Sequence, residues 1–214
     1  MKFASGIEKK HRVSIEKAFE TIVEKGDDFH RHMMNEFFES KLLISVEPVS
    51  KINGASGVTS VINAIKTNIR MARERMSLRD ALDEIYICIA AETIGDGFQR
   101  GVEGTFVHEG RHAYDFAQTL ESLSNADINP IGVFNPTLYE MEWEAHINAG
   151  NYMLRINKPD YLDEGVQLMI LGQAADGSYF VNKDGIKQRL RDSYGLIADG
   201  NVGSLASEMM GIHV

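Results

Sequence analysis

The sequence predicts an α+β fold dominated by helices, with a small β-sheet beside the helix expected at residues 101–120. Three observations carry this reading. Apolar residues recur at helical spacing through most of the chain, whereas 43–49 and 84–91 are short runs with strand composition. Proline is scarce, so little interrupts the helical segments. With 214 residues, 43% of them hydrophobic, the chain can bury a sizeable core as one domain, 1–214. Residues 1–42 are expected to supply N-terminal helices, 43–156 the central part and 157–214 a helical C-terminal part.

In order, residues 7–25 read as an amphipathic helix, with Ile15, Phe19, Ile22 and Val23 inward and Gly26 as its stop. Residues 28–42 read as a second helix with the stripe Met33, Met34, Phe37 and Phe38, either core or a contact surface for a partner. A strand at 43–49 closes near Pro48, and the loop 50–57 follows. Residues 59–76 prefer helix, with Val61, Ile62, Ile65 and Ile69 in register. Ser77 caps a short turn before the strand 84–91, whose composition is Ile-Tyr-Ile-Cys-Ile. Gly95-Asp96-Gly97 links that strand to the helix 101–120 and is expected in a cleft wall. The polar loop 122–135 is expected to border the same cleft. Thr137 and Glu140 form a capping box that starts a helix at 136–156. Lys158-Pro159 opens another helix to about 174, 178–181 is a short strand, and 185–194 is the last helix. The glycine-rich tail 200–214 is ordered only if it docks. His11, His30 and His32 read as solvated residues, and Asp27-Asp28 and 70–75 as solvated faces or caps.

The chemistry concentrates in His108-Glu109-Gly110-Arg111-His112, an H-E-x-x-H pattern. On a helix the two histidines lie one turn apart on the same side, about 40° apart around the axis. Both imidazoles then reach one zinc ion while Glu109 points at a water on it. Phe106, Ala113, Ala117 and Leu120 recur at helical spacing and give this helix a face to bury. Gly110 costs about 1 kcal/mol relative to alanine inside a helix, which implies close approach of a backbone or substrate. Asp115 and Thr119 share the histidine side and are candidates to orient a ring nitrogen.

A third ligand must come from another helix, and 136–156 offers Glu140, Glu142 and Glu144. Leu138, Met141, Ala145, Ala149, Tyr152 and Met153 form one apolar arc, and Glu142 falls inside it. Glu140 and Glu144 fall opposite, with Asn148, Asn151 and Arg155. A carboxylate among core-facing residues is costly unless paired or bound to metal, so Glu142 is the third ligand expected, with Glu144 as the alternative.

With these residues the chain resembles the glutamate-ligand zincin metallopeptidases, the thermolysin-like group. Members carry H-E-x-x-H on one helix and a ligand glutamate on a second, which in several branches reads E-x-x-A-D. Here Glu142-Trp143-Glu144-Ala145-His146 keeps the glutamate and the alanine and places His146 where the acid stands. The resemblance covers about residues 100–155. It implies a zincin-like fold and peptide or amide hydrolysis, with His108, His112 and Glu142 on Zn2+ and Glu109 as general base. It also implies a nearby donor to the oxyanion, for which His146, Tyr139, Tyr152, Arg155, Tyr179 and Tyr194 are the candidates. A strand edge beside the metal helix is expected to hold an extended peptide, from the strand at 43–49 or at 84–91. The motif is similar to that of zincin domains in bacterial secreted toxins, which implies an inhibitor or immunity protein as a possible partner. The substrate expected is a protein or peptide, the stem peptides of peptidoglycan included. From a different class, the chain reads as a binding or assembly protein with a lapsed or structural metal site and the Met33–Phe38 surface as its functional part.

Global composition narrows the partners. A net charge of −9 argues against nucleic acid or an anionic membrane surface. The lone Cys88 cannot form an internal disulfide, and its apolar surroundings predict burial. Residues 1–23 are charged and amphipathic rather than leader-like, and the longest apolar run, 85–91, is too short to span a bilayer. Membrane insertion is therefore not expected, and the location is expected to be cytoplasmic or reached by a route without a leader.

Overall fold

The computed structural model describes residues 1–94 and 99–213. Helices dominate, as expected, and the main sheet has four strands: β1 (Lys2–Phe3), β2 (Leu43–Glu47), β3 (Gly57–Val61) and β4 (Ile85–Ala90). Their order is β1-β2-β4-β3. β1, β2 and β4 run parallel, whereas β3 is antiparallel to β4, with Gly57 opposite Ile89 and Val61 opposite Ile85. β4 is thus interior and nearly all buried, which explains its unbroken apolar composition.

The long helix α5 (Gln99–Ser124) lies against this sheet and is the hub of the fold. Its expected apolar face is buried, but so are Val102, Val107, Tyr114 and Phe116 on its other sides. A helix buried all round must be enclosed, and α1 (Lys9–Lys25), α4 (Leu78–Leu82), β3, β4 and α6 (Leu138–Ile156) enclose it. α2 (Asp28–Glu39) packs on it at Gly110, where a Cβ would lie 3.1 Å from the Phe37 ring and 3.2 Å from the Met33 methyl. Two core side chains, not a backbone or a substrate, therefore approach this glycine closely. Met33, Met34 and Phe37 are fully buried and Phe38 is exposed, so the stripe is core and not a partner surface.

Several expectations fail for identifiable reasons. The helix expected at 59–76 exists only as α3 (Ala64–Met71), because the β-branched run before it pairs with β4 and Asn63 then caps the helix at Lys66 N. Ile62, Ile65 and Ile69 are consequently 44%, 74% and 48% exposed rather than inward. The helix α7 (Pro159–Gln167) stops short of 174, since Met169 is left-handed (φ 60°). The chain then enters a hairpin of β5 (Leu171–Gln173) and β6 (Tyr179–Val181). α8 (Lys183–Tyr194) follows, capped by the Asn182 side chain. The tail docks: Ala206 N bonds Pro136 O, Ser207 and Asn135 exchange hydrogen bonds, and α9 (Ala206–Met209) buries Met210 and Ile212 behind it.

His30 is not solvated but fully buried, with Nε2 against the Asn148 carbonyl at 3.2 Å and Nδ1 at 2.6 Å from Asp27. Asn148, placed on the outer side by periodicity, is likewise buried and donates to Val107 O at 3.1 Å, tying α6 to α5. Cys88 is buried as expected. Among the described residues no helix is long and apolar enough to cross a membrane.

Candidate metal centre

His108 and His112 stand one turn apart in the middle of α5, and their Nε2 atoms are 3.1 Å from each other. α6 crosses α5 after a complete capping box at Thr137 and Glu140, which sets the phase of the helix. That phase carries Glu142 into the contact between the two helices, where it is 8% exposed. Its Oε2 lies 3.5 Å from His108 Nε2 and its Oε1 3.5 Å from His112 Nε2. His146, one turn further along α6, brings Nε2 to 3.9 Å from the same Oε2. One ligand atom each from His108, Glu142 and His146 fall within 4.8 Å of one another, close enough for all three to hold a metal ion.

His108 and His112 lie within hydrogen-bonding distance of each other, yet several polar atoms of the cluster stay unsatisfied. Glu142 Oε2, His112 Nδ1 and both ring nitrogens of His146 are buried without a hydrogen-bond partner. Such orphaned groups cost about 1–3 kcal/mol each and call for a ligand. Zinc–nitrogen and zinc–oxygen bonds of about 2.0–2.1 Å put tetrahedral ligands about 3.3–3.4 Å apart, which the separations among His108, His112 and Glu142 match. His146, itself buried, sits beyond this spacing at 3.9 Å from Glu142.

The electrostatics favour a cation. Burial pushes the Glu142 carboxyl up, but His108 and His112 hold it far below the usual carboxylate range. Burial pushes His112 down, yet Glu142, Glu109 and Asp115 outweigh it and raise its pKa to about 9. His146 is pushed down to about 3 by burial and then by His108, so it is neutral, the form that ligates metals.

A cleft of about 430 Å³ opens beside these ligands. Ala55, Ser56 and Gly57 form one wall. His108 and Glu109 line it from α5, and Met153, Leu168 and Ile170 make it apolar on the far side. Arg189 and Tyr194 of α8 border it too. Glu109 is buried against β3, where Thr59 Oγ1 donates to its Oε2 at 2.7 Å. Gly57 permits this packing, since a Cβ there would lie 2.7 Å from Thr105 Cγ2 and 2.8 Å from Glu109 Cγ.

The strand edge at the cleft is β3, which corrects both sequence expectations: β2 and β4 each have neighbours on both sides. Ala90 N bonds Ser56 O, and Ile62 N bonds Glu84 O. By antiparallel alternation the backbone groups of Gly57, Thr59 and Val61 then point away from β4, where no strand pairs among the described residues.

Other expected participants lie elsewhere. Glu144, the alternative ligand, is half-exposed and pairs with Arg111 at 3.3 Å. Asp115 is gripped by Arg111 at 3.0 Å, and the Thr119 hydroxyl donates to the Asp115 carbonyl, so neither orients a ring nitrogen. Among the candidate donors, Tyr152 bonds the buried Glu103 at 2.7 Å and Tyr139 stacks on Trp143. Arg155 is exposed, and Tyr179 belongs to β6 away from the cleft. His146 and Tyr194 remain at the site. Burial first, and then Glu142, raises the Tyr194 hydroxyl to about 12. Residues 122–135 do not line the cleft, and Gly95-Asp96-Gly97 falls outside the described residues. Arg189 is the cleft residue that sequence reasoning missed; an arginine on a short polar helix gives no signal by itself.

No family model, curated protein or solved structure matches this chain.

Proposed function

We propose that this protein is a zinc-dependent peptidase acting on extended peptide or protein segments, and that the cleft is its active site. The observation that carries this is the joint placement of the His108, His112 and Glu142 ligand atoms 3.1–3.5 Å apart, with Glu109 and Gly57 of β3 lining the adjoining cleft. Two imidazoles and a carboxylate suit zinc, with His112 giving up its proton as the metal binds; zinc in such a site lowers the pKa of a water toward about 7 and polarises a peptide carbonyl.

The rest of the chemistry falls to the chain. Gly57, Thr59 and Val61 bind a substrate segment by strand addition, which lays its backbone across the ligand cluster. Glu109, held by the Thr59 hydroxyl, takes a proton from the attacking water and passes it to the leaving amine. The Tyr194 hydroxyl, protonated at neutral pH, donates to the oxyanion that forms. Met153, Leu168 and Ile170 seat an apolar side chain and exclude water.

A second reading draws on His146, whose ring nitrogens are both buried and unpartnered. If it completes a four-ligand set, the site is closed and structural, and the protein binds rather than cuts. Metal content with hydrolysis of an unfolded protein substrate separates the two. The peptidase reading expects about one zinc per chain and activity that Glu109→Gln abolishes while zinc is kept. Zinc without any hydrolysis, and melting that depends on zinc, supports the closed site.

A further inference from the structure

Arg189 stands apart from the other partly buried arginines. Arg70 is held by Glu74, Asp80 and Glu84, and Arg111 by Asp115 and Glu144. The chain carries 31 acidic side chains against 22 basic ones. Arg189 has no partner of this kind: among the described residues no carboxylate pairs with it, and its Nε is buried without a hydrogen-bond partner. Glu109 lines the same cleft, but its carboxylate is bonded by Thr59 instead.

Its position is fixed by packing. Ile186 and Leu190, on either side of it in α8, are fully buried in a cluster with Ile170 and Leu196, and this anchors the helix against α6. Arg189 thereby lines the cleft together with His146, Tyr194, Leu168 and Ile170, near enough to His146 and Tyr194 for its charge to act on both. A half-buried, unpaired guanidinium costs desolvation that a bound carboxylate offsets, and its planar fork matches a carboxylate with two parallel hydrogen bonds.

The geometry points to Arg189 as the specificity residue of the cleft: it takes a carboxylate carried by the substrate peptide, either an acidic side chain or a free C-terminus near the bond at the ligand cluster. This deepens the peptidase reading by naming what the substrate carries, but it does not depend on zinc.

The test uses the full chain carrying Glu109→Gln, with and without added zinc. Three acetylated pentapeptides of sequence Ala-Ala-Phe-Leu-Ala serve as probes: the uncharged C-terminal amide, the free acid, and the amide with glutamate in place of leucine. Calorimetry is expected to show one charged peptide binding about ten- to a hundredfold more tightly than the neutral amide. Which one it is identifies the source of the carboxylate. The preference is lost in Arg189→Gln and partly kept in Arg189→Lys, a point charge that cannot form the fork; melting curves confirm that both variants are folded. If zinc binding fails while the preference persists in metal-free protein, the carboxylate site stands and the peptidase reading falls. Equal binding of all three peptides, or a preference that survives Arg189→Gln, overturns the assignment.

Discussion

The Thr59 hydroxyl donates to Glu109 Oε2 at 2.7 Å, so the edge strand holds the carboxylate that stands between the two histidines of α5. Strand and helix are therefore one unit at the cleft, and a change in β3 acts on Glu109. Thr59→Val keeps the shape of the side chain and its strand preference while removing the donor. We expect hydrolysis to fall about tenfold, mainly in kcat, with zinc content unchanged. A rise in KM alone would assign Thr59 to substrate binding instead.

Gly57→Ala tests the same contact sterically. The new Cβ would meet Thr105 and Glu109 below 3 Å, and neither contact is the free end of a flexible chain. Stability is expected to drop by about 1–3 kcal/mol in urea unfolding, with a larger loss of activity than Thr59→Val. An unchanged midpoint would mean that β3 and α5 lie further apart.

Ligand variants should separate by metal content. His108→Ala, His112→Ala and Glu142→Ala lose most zinc at stoichiometric supply, whereas Glu144→Ala, whose carboxylate faces Arg111, retains it. Chelation is expected to lower Tm, since a ligand at a hundred times its Kd stabilises the folded chain by about 2.7 kcal/mol. Zinc retained in Glu142→Ala would move the third ligand elsewhere, with His146 first in line.

His30 gives stability a pH dependence independent of the metal. Burial holds its pKa below the ordinary 6.5, and the Asp27 carboxylate recovers only part of the shift. The unfolded chain then takes up a proton near pH 6.5 that the folded chain resists. The stability from neutral His30 is complete above that pH and declines as pH falls below it, by at most about 1.4 kcal/mol per unit. Urea unfolding at pH 7.5 and 5.5 should show this decline, reduced in His30→Gln. An identical pH dependence in the variant would assign the effect to other groups.

Much of the site is legible along the chain because it repeats at helical spacing. The H-E-x-x-H pattern, the Thr137–Glu140 cap and a carboxylate inside an apolar arc all report on single helices. The side chains of His108, His112 and Glu142 that these signals single out lie together in the structure. The strands at β2 and β4 were equally legible, β4 most clearly because a strand buried on both faces is apolar almost throughout. β3 was not. Val61, Ile62, Ile65 and Ile69 keep a helical rhythm, and only pairing with β4 selects the strand at 57–61. His30 looks like an ordinary polar position until other helices cover it. Arg189 reaches the cleft only because α8 packs on α6 through Ile186 and Leu190. By itself the sequence determined where most helices lie and the identity of the metal-ligand candidates, since periodicity is a property of one segment. The tertiary structure alone decided which edge lies open, which histidines are buried and what faces the cleft, because those depend on contacts between segments whose separation along the chain leaves no periodic trace.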